Sequence, residues 1–228
     1  MEPAMEPRVP ERVAEFRRRY RAEQIPARYR GWAHLSFTSV GSLAAIALAA
    51  ASVHEVSAFE WLTVPLTFLF ANFAEYAGHR GPMHHKRRGM QLLHERHTLQ
   101  HHRFYTHDAM QAESSTDFHM VLFPPVLLIF FLGLLATPIG FGLFLVTTAN
   151  VGWLFVATAV GYFLTYEWLH FAYHLPTTSW VARLPLMGRL RQHHTHHHNA
   201  RWMGRYNFNI TFPIADRVFG TVFRAGSR

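Results

Sequence analysis

The chain has 228 residues, a formal charge of +8 and no cysteine, and half of its residues are apolar. The lack of cysteine excludes iron–sulfur clusters and thiolate metal sites. The apolar residues are gathered into long runs rather than spread through a soluble core, which predicts an integral membrane protein.

Residues 1–31 are Pro-flanked, rich in Arg and Glu, and lack the apolar core of a signal peptide. They read as a cytosolic basic arm, followed by one membrane domain over 32–228. Within the arm, Arg12, Arg17, Arg18, Arg19 and Arg21 could face anionic lipid headgroups or simply water. Four apolar stretches follow, at 34–53, 57–78, 118–136 and 139–172. A stretch of about 20 apolar residues spans a bilayer core as a helix. The predicted fold is therefore all-α, a four-helix transmembrane bundle with a histidine-rich helical cap.

All 22 Lys and Arg residues fall in three blocks, Arg8–Arg30, Arg80–Arg103 and Arg183–Arg228. The connectors near His54–Phe59 and Ala136–Gly140 hold none. Basic residues stay on the cytoplasmic side, so both termini, the central loop and the cap are expected there. A continuous helix over 139–174 would run about 50 Å, against a hydrocarbon core of about 30 Å. It must project, break or form a hairpin. Projection is expected, because it lifts His170 and His174 level with the other histidines.

The 18 histidines carry the chemistry. Ten fall in four tight groups: His79/His84, His97/His101/His102, His170/His174 and His194/His197/His198. Residues three or four apart share a helix face, so His97/His101, His170/His174 and His194/His197/His198 are each expected to aim at one point. Neutral imidazole is a common metal ligand, and ten exceed what a single ion uses, which suggests two metals. His34 and His54 flank the first span as interfacial groups. His85, His94, His193 and His196 lie in the clusters as alternative ligands or supporting partners, and His107 and His119 read as solvated or packed.

In this order, the boxes resemble those of the fatty acid hydroxylase and sterol desaturase superfamily. The run Glu75–His84 is similar to its HxxxxH box, Tyr166–His174 to its HxxxH box, and His194–His198 with the tail Phe212–Thr221 to its terminal HxxHH box. The second box departs: fatty acid 2-hydroxylases usually have HxxHH, whereas His97–His102 reads HxxxHH, with i, i+4 helical geometry expected to survive. The resemblance covers about residues 60–222. It implies a membrane-bound, O2-dependent non-haem enzyme with two iron ions, zinc being a possible occupant after purification. The reaction would be hydroxylation or desaturation of a lipid C–H bond, foremost on a fatty acyl chain, with sterols or carotenoids as alternatives. Some members carry a fused cytochrome b5 domain; about 31 residues before the first span are too few for one. Electrons are expected from a separate ferredoxin or cytochrome b5 type protein.

Metal-bound histidines usually donate their second ring N–H to a carboxylate or carbonyl. Glu75, Glu167 and Asp216 are the leading supporting candidates, with Glu95 and Glu113 behind them, since ionisable residues within spans are costly and usually functional. A different class, a metal transporter or store, would place its ligands near the bilayer midplane. The spans here hold no histidine in their middles. Nucleic acid is not expected as a partner, because the basic residues segregate to one membrane side.

Overall fold

The computed structural model describes residues 9–224 and Gly226, so Arg8 and Arg228 of the outer basic blocks lie outside the described residues. All regular structure among the described residues is helical. Helix α1 (Glu11–Gln24) starts after Pro10, with Glu11 in its first turn and Arg21 in its last, each suited to the helix dipole. Val13, Arg17 and Tyr20 form its buried stripe. Helix α2 (Gly31–Ala51) buries a face made of His34, Thr38, Ser42 and Ala49. Its first residue must be glycine: a Cβ there would lie 1.9 Å from the Ser115 carbonyl oxygen.

The second apolar stretch is broken. A short helix over Ala58–Trp61, capped by a reciprocal Ser57–Glu60 box, precedes α3 (Thr63–Gly78). With 16 residues, α3 spans about 24 Å, less than a bilayer core. Three helices are long and apolar enough to cross a membrane: α2, α4 (Pro125–Val146) and α5 (Ala149–Tyr173). The expected third and fourth spans are thus redrawn. The Ala136–Gly140 segment is helical, and the chain turns at Thr147–Thr148 instead. A π-helical stretch, Phe131–Ala136, precedes Pro138 and keeps the helix going across it. Thr148 then caps α5, its hydroxyl accepting from Val151 N. The predicted projection of one long helix is therefore replaced by a hairpin. Its arms touch at two glycines, where a Cβ on Gly140 would meet Val156 Cγ2 at 2.5 Å.

Helix α5 is central, packing against α2, α3 and α4. The connectors meet at one end of the molecule: His54 and Asn150 exchange two hydrogen bonds of 2.8 and 3.1 Å. Thr148 there donates to Glu60. Outward-facing Val40, Leu48, Leu66, Phe70, Ile129 and Leu145 are exposed, as expected of a surface facing lipid. The opposite end carries the histidines. There α6 (Met187–His197) and two straps close over the helix ends, 104–124 with short helical turns at Ser115–Asp117 and Phe118–Val121, and the irregular 199–213.

Candidate metal centre

Ten buried histidines gather in two groups of five, and within each group the ring nitrogens lie within 4.8 Å of one another. The first comprises His79, His84, His97, His102 and His197; the second comprises His101, His170, His174, His194 and His198. Neighbouring Nε2 atoms in the first group are 2.8–3.1 Å apart. In the second they are 3.0–3.3 Å apart. Ligands about 2.0–2.1 Å from a shared ion would be separated by about 3.0 Å at right angles and 3.4 Å at tetrahedral angles. The donor set and its spacing fit one transition-metal ion per group.

Local helix geometry dictates this sorting and corrects the expected pairing. His97 and His101 do not aim at one point, and neither do His194, His197 and His198. Residues 95–101 are π-helical and residues 79–83 turn as widely through a kink at Gly81, each bringing i and i+5 to one face. These turns pair His79 with His84 and His97 with His102, each at 3.1 Å. The extra residue of the HxxxHH box is absorbed as this π turn, so i, i+4 geometry does not survive there. In regular α-helix, His170/His174 and His194/His198 do pair at i, i+4 within one group. Consecutive residues point about 100° apart on a helix. The two His–His dipeptides whose members both belong to the ten, 101–102 and 197–198, are therefore split between the two groups.

The straps orient the rings. His101 Nδ1–H donates to Met120 O at 3.0 Å, His174 to Met110 O at 2.7 Å and His198 to Tyr105 O at 2.6 Å. All three carbonyls lie in the 104–124 strap, which serves the second group. The 199–213 strap serves the first group, with His79 donating to Phe208 O and His197 to Tyr206 O at 3.0 Å. His84 Nδ1 meets Thr98 Oγ1 at 3.2 Å, and that hydroxyl donates to Met83 O. A proton held on Nδ1 leaves the Nε2 lone pair free. Five such lone pairs converging on one point repel one another unless a cation lies among them. Nδ1 of His102 and of His194 is buried without a partner.

The carboxylates stand one step further out than expected. None bonds any of the ten histidines in the described hydrogen-bond network. Glu75 accepts from Tyr162 and Thr211 and from the backbone N–H of Ile210 and Thr211. Glu167 accepts weakly from Phe123 N. Asp216 accepts from Phe208 N at 2.9 Å and Asn209 N at 2.7 Å, and so fixes the carbonyl that holds His79. Burial alone would raise the Asp216 carboxyl, but bonds from His193, Thr221 and these N–H groups hold it below its usual range. Glu95 is exposed. Glu113 binds Arg17 and Arg21.

Arg17 is the residue sequence reading missed. It is 1% exposed and donates to Phe104 O, Ala109 O and Glu113, tying α1 to the strap behind the second group. Arg21 binds Asp117 in the same strap. Neither faces lipid, and only the spacing of Val13, Arg17 and Tyr20 hinted at that. His34, expected at the interface, is buried between Tyr29 Oη and Phe123 O. His85 bonds Arg80 O, His94 bonds Met83 O, and His196 packs on Phe223; none joins either group. His54 and His107 are exposed, and His119 packs on Tyr29.

A family model for fatty acid hydroxylases matches residues 64–221, a span that contains all ten histidines. The chain belongs to the fatty acid hydroxylase family. No curated protein and no solved structure matches it. Membership of the fatty acid hydroxylase family, with three helices able to cross a membrane, makes this a membrane protein of an oxidoreductase family.

Two predictions arise here. Burial holds His79 at about 4 and, with added repulsion from neighbouring rings, His84, His97, His102 and His197 well below 6.5. Between those values only the unfolded chain takes up the protons, so stability falls as pH falls from about 6.5 towards 4. Thermal midpoints and bound metal should decline together over that window, and a flat profile would overturn the neutral-imidazole assignment. Second, Asp216→Ala frees Phe208 O from its N–H anchor. It should weaken metal at the first group by about 10–100-fold and the second group's ion by less, read by chelator titration.

Proposed function

We propose that this protein is an O2-dependent, non-haem diiron oxygenase that hydroxylates or desaturates a C–H bond on a fatty acyl chain. The observation that carries this reading is a cavity of about 500 Å³ between α3, α4 and α5. Its walls are aromatic and aliphatic, including Phe70, Phe131, Phe155 and Phe163, and His79 and Met83 lie at its metal-side end. An apolar pocket of this size suits a hydrocarbon chain. The polar groups beside it are spent: Glu75 is occupied by Tyr162 and the 210–211 backbone.

The two groups of five histidines would hold the ions, with zinc as a possible occupant after purification. Bound iron would supply O2 activation for attack on an unactivated C–H bond. Hydroxylation consumes the substrate, O2, two electrons and two protons, and yields an alcohol and water. The chain's own part is to lay the hydrocarbon against His79, to exclude water with its aromatic wall, and to hold the Nδ1 protons of His79, His101, His174, His197 and His198 on backbone carbonyls. A separate ferredoxin or cytochrome b5 type protein would deliver the electrons. In this reading α3 and its preceding short helix complete a four-span arrangement, with the histidine end and both termini cytoplasmic.

Lipid analysis of cells expressing the wild type beside His197→Ala tests the activity. Gain of one oxygen means hydroxylation, loss of two hydrogens means desaturation, and identical lipids in both would refute the reading. For sidedness, cysteine placed at Ser57 should label from outside and cysteine at Arg88 only after permeabilisation.

A further inference from the structure

A second cavity, of about 410 Å³, opens where α2 and α4 begin and shares no lining residue with the apolar pocket. Three arginines line it, Arg28, Arg30 and Arg96, together with Tyr29, His34 and His119. No carboxylate lines it, and none of the three arginines forms an ion pair among the described residues. Arg96 is fixed by His119 O at 2.7 Å, while Arg28 and Arg30 are exposed. By contrast Arg17, Arg18 and Arg21 on α1 all meet carboxylates. Glu167 lies behind the wall, with Phe123 N as its partner.

We propose that this cavity binds the phosphodiester headgroup of an anionic glycerophospholipid. Guanidinium forks match phosphate oxygens, and three arginines without an ion pair around one cavity call for an anion. The surroundings point to a lipid as its carrier. Trp32, 61% exposed, lies two residues after Arg30, placed as an interfacial tryptophan is. Below the cavity, exposed Phe37 and Val40 on α2 and Val126 and Ile129 on α4 continue away from it. Acyl chains laid along those faces would leave their phosphate among the three arginines. The proposal is independent of the oxygenase reading and needs only that α2 and α4 lie in a bilayer.

The test is calorimetric titration of the full chain in uncharged detergent micelles with dihexanoylphosphatidylglycerol, dihexanoylphosphatidylcholine or inorganic phosphate. The glycerol lipid should bind saturably, with the other two probes at least tenfold weaker. R28Q/R30Q should weaken it at least tenfold, whereas R12Q/R19Q, an equal charge change at exposed positions on α1, should leave it unchanged. All four side chains are exposed, so folding does not hang on them. Equal binding of the choline lipid, inorganic phosphate binding as tightly as the lipid, or equal loss in both double variants would each overturn the proposal.

Discussion

His197→Ala should abolish turnover and remove one metal ion of two, and His101→Ala should do the same at the other position. His197 Nε2 lies 2.9 Å from that of His84 in the first group, and His101 Nε2 lies 3.2 Å from that of His198 in the second. Both rings are buried and locked by a backbone carbonyl, so no neighbour can swing in to replace them. Changes one shell further out typically cost about 10–100-fold, and loss of a ligand should exceed that. His94, bonded to Met83 O and outside both groups, is the contrasting case: His94→Ala should stay active. Exposed His54 should change activity by less than about threefold when replaced, as surface positions generally do. Elemental analysis beside O2 uptake checks all four variants. One ion or fewer per fully loaded wild-type chain, or an active His197→Ala, would sink the two-metal assignment.

Filling the apolar cavity should be almost as damaging while leaving the metals alone. Ala74 lines that cavity on α3, one turn before Gly78 and His79. Ala74→Phe would add a ring to the space where the chain lies, and displacing a reacting group by about 1 Å can cost about 100-fold. The expected result is a fall of that order in kcat/KM for lipid with metal content unchanged. Unaltered turnover would show that the hydrocarbon lies elsewhere.

Much of this was legible in the chain. Long apolar runs and segregated basic residues marked the membrane helices, and the spacing of the ten histidines marked where they would gather. Helix register was harder to read. Pro138 reads as a stop but is carried through by the π-helical stretch before it, which moved the turn to Thr147–Thr148. The same limitation hid the sorting of the histidines, because 3.6 residues per turn pairs His97 with His101 and only a π turn pairs it with His102. The carbonyls that hold the rings leave no side-chain signal at all. Arg17 looked like any other charge on a basic helix until Phe104, Ala109 and Glu113 were seen to converge on it.

The two split dipeptides have a mechanical consequence. His101–His102 and His197–His198 act as a pair of yokes, each harnessing one ring to either group across a single peptide bond. Drawing an ion into one group fixes the roll of both helices and thereby sets the aim of the rings on the other side. Loading should therefore be cooperative, the second equivalent of metal taken up more avidly than the first, and half-filled chains should be scarce at every point of a titration.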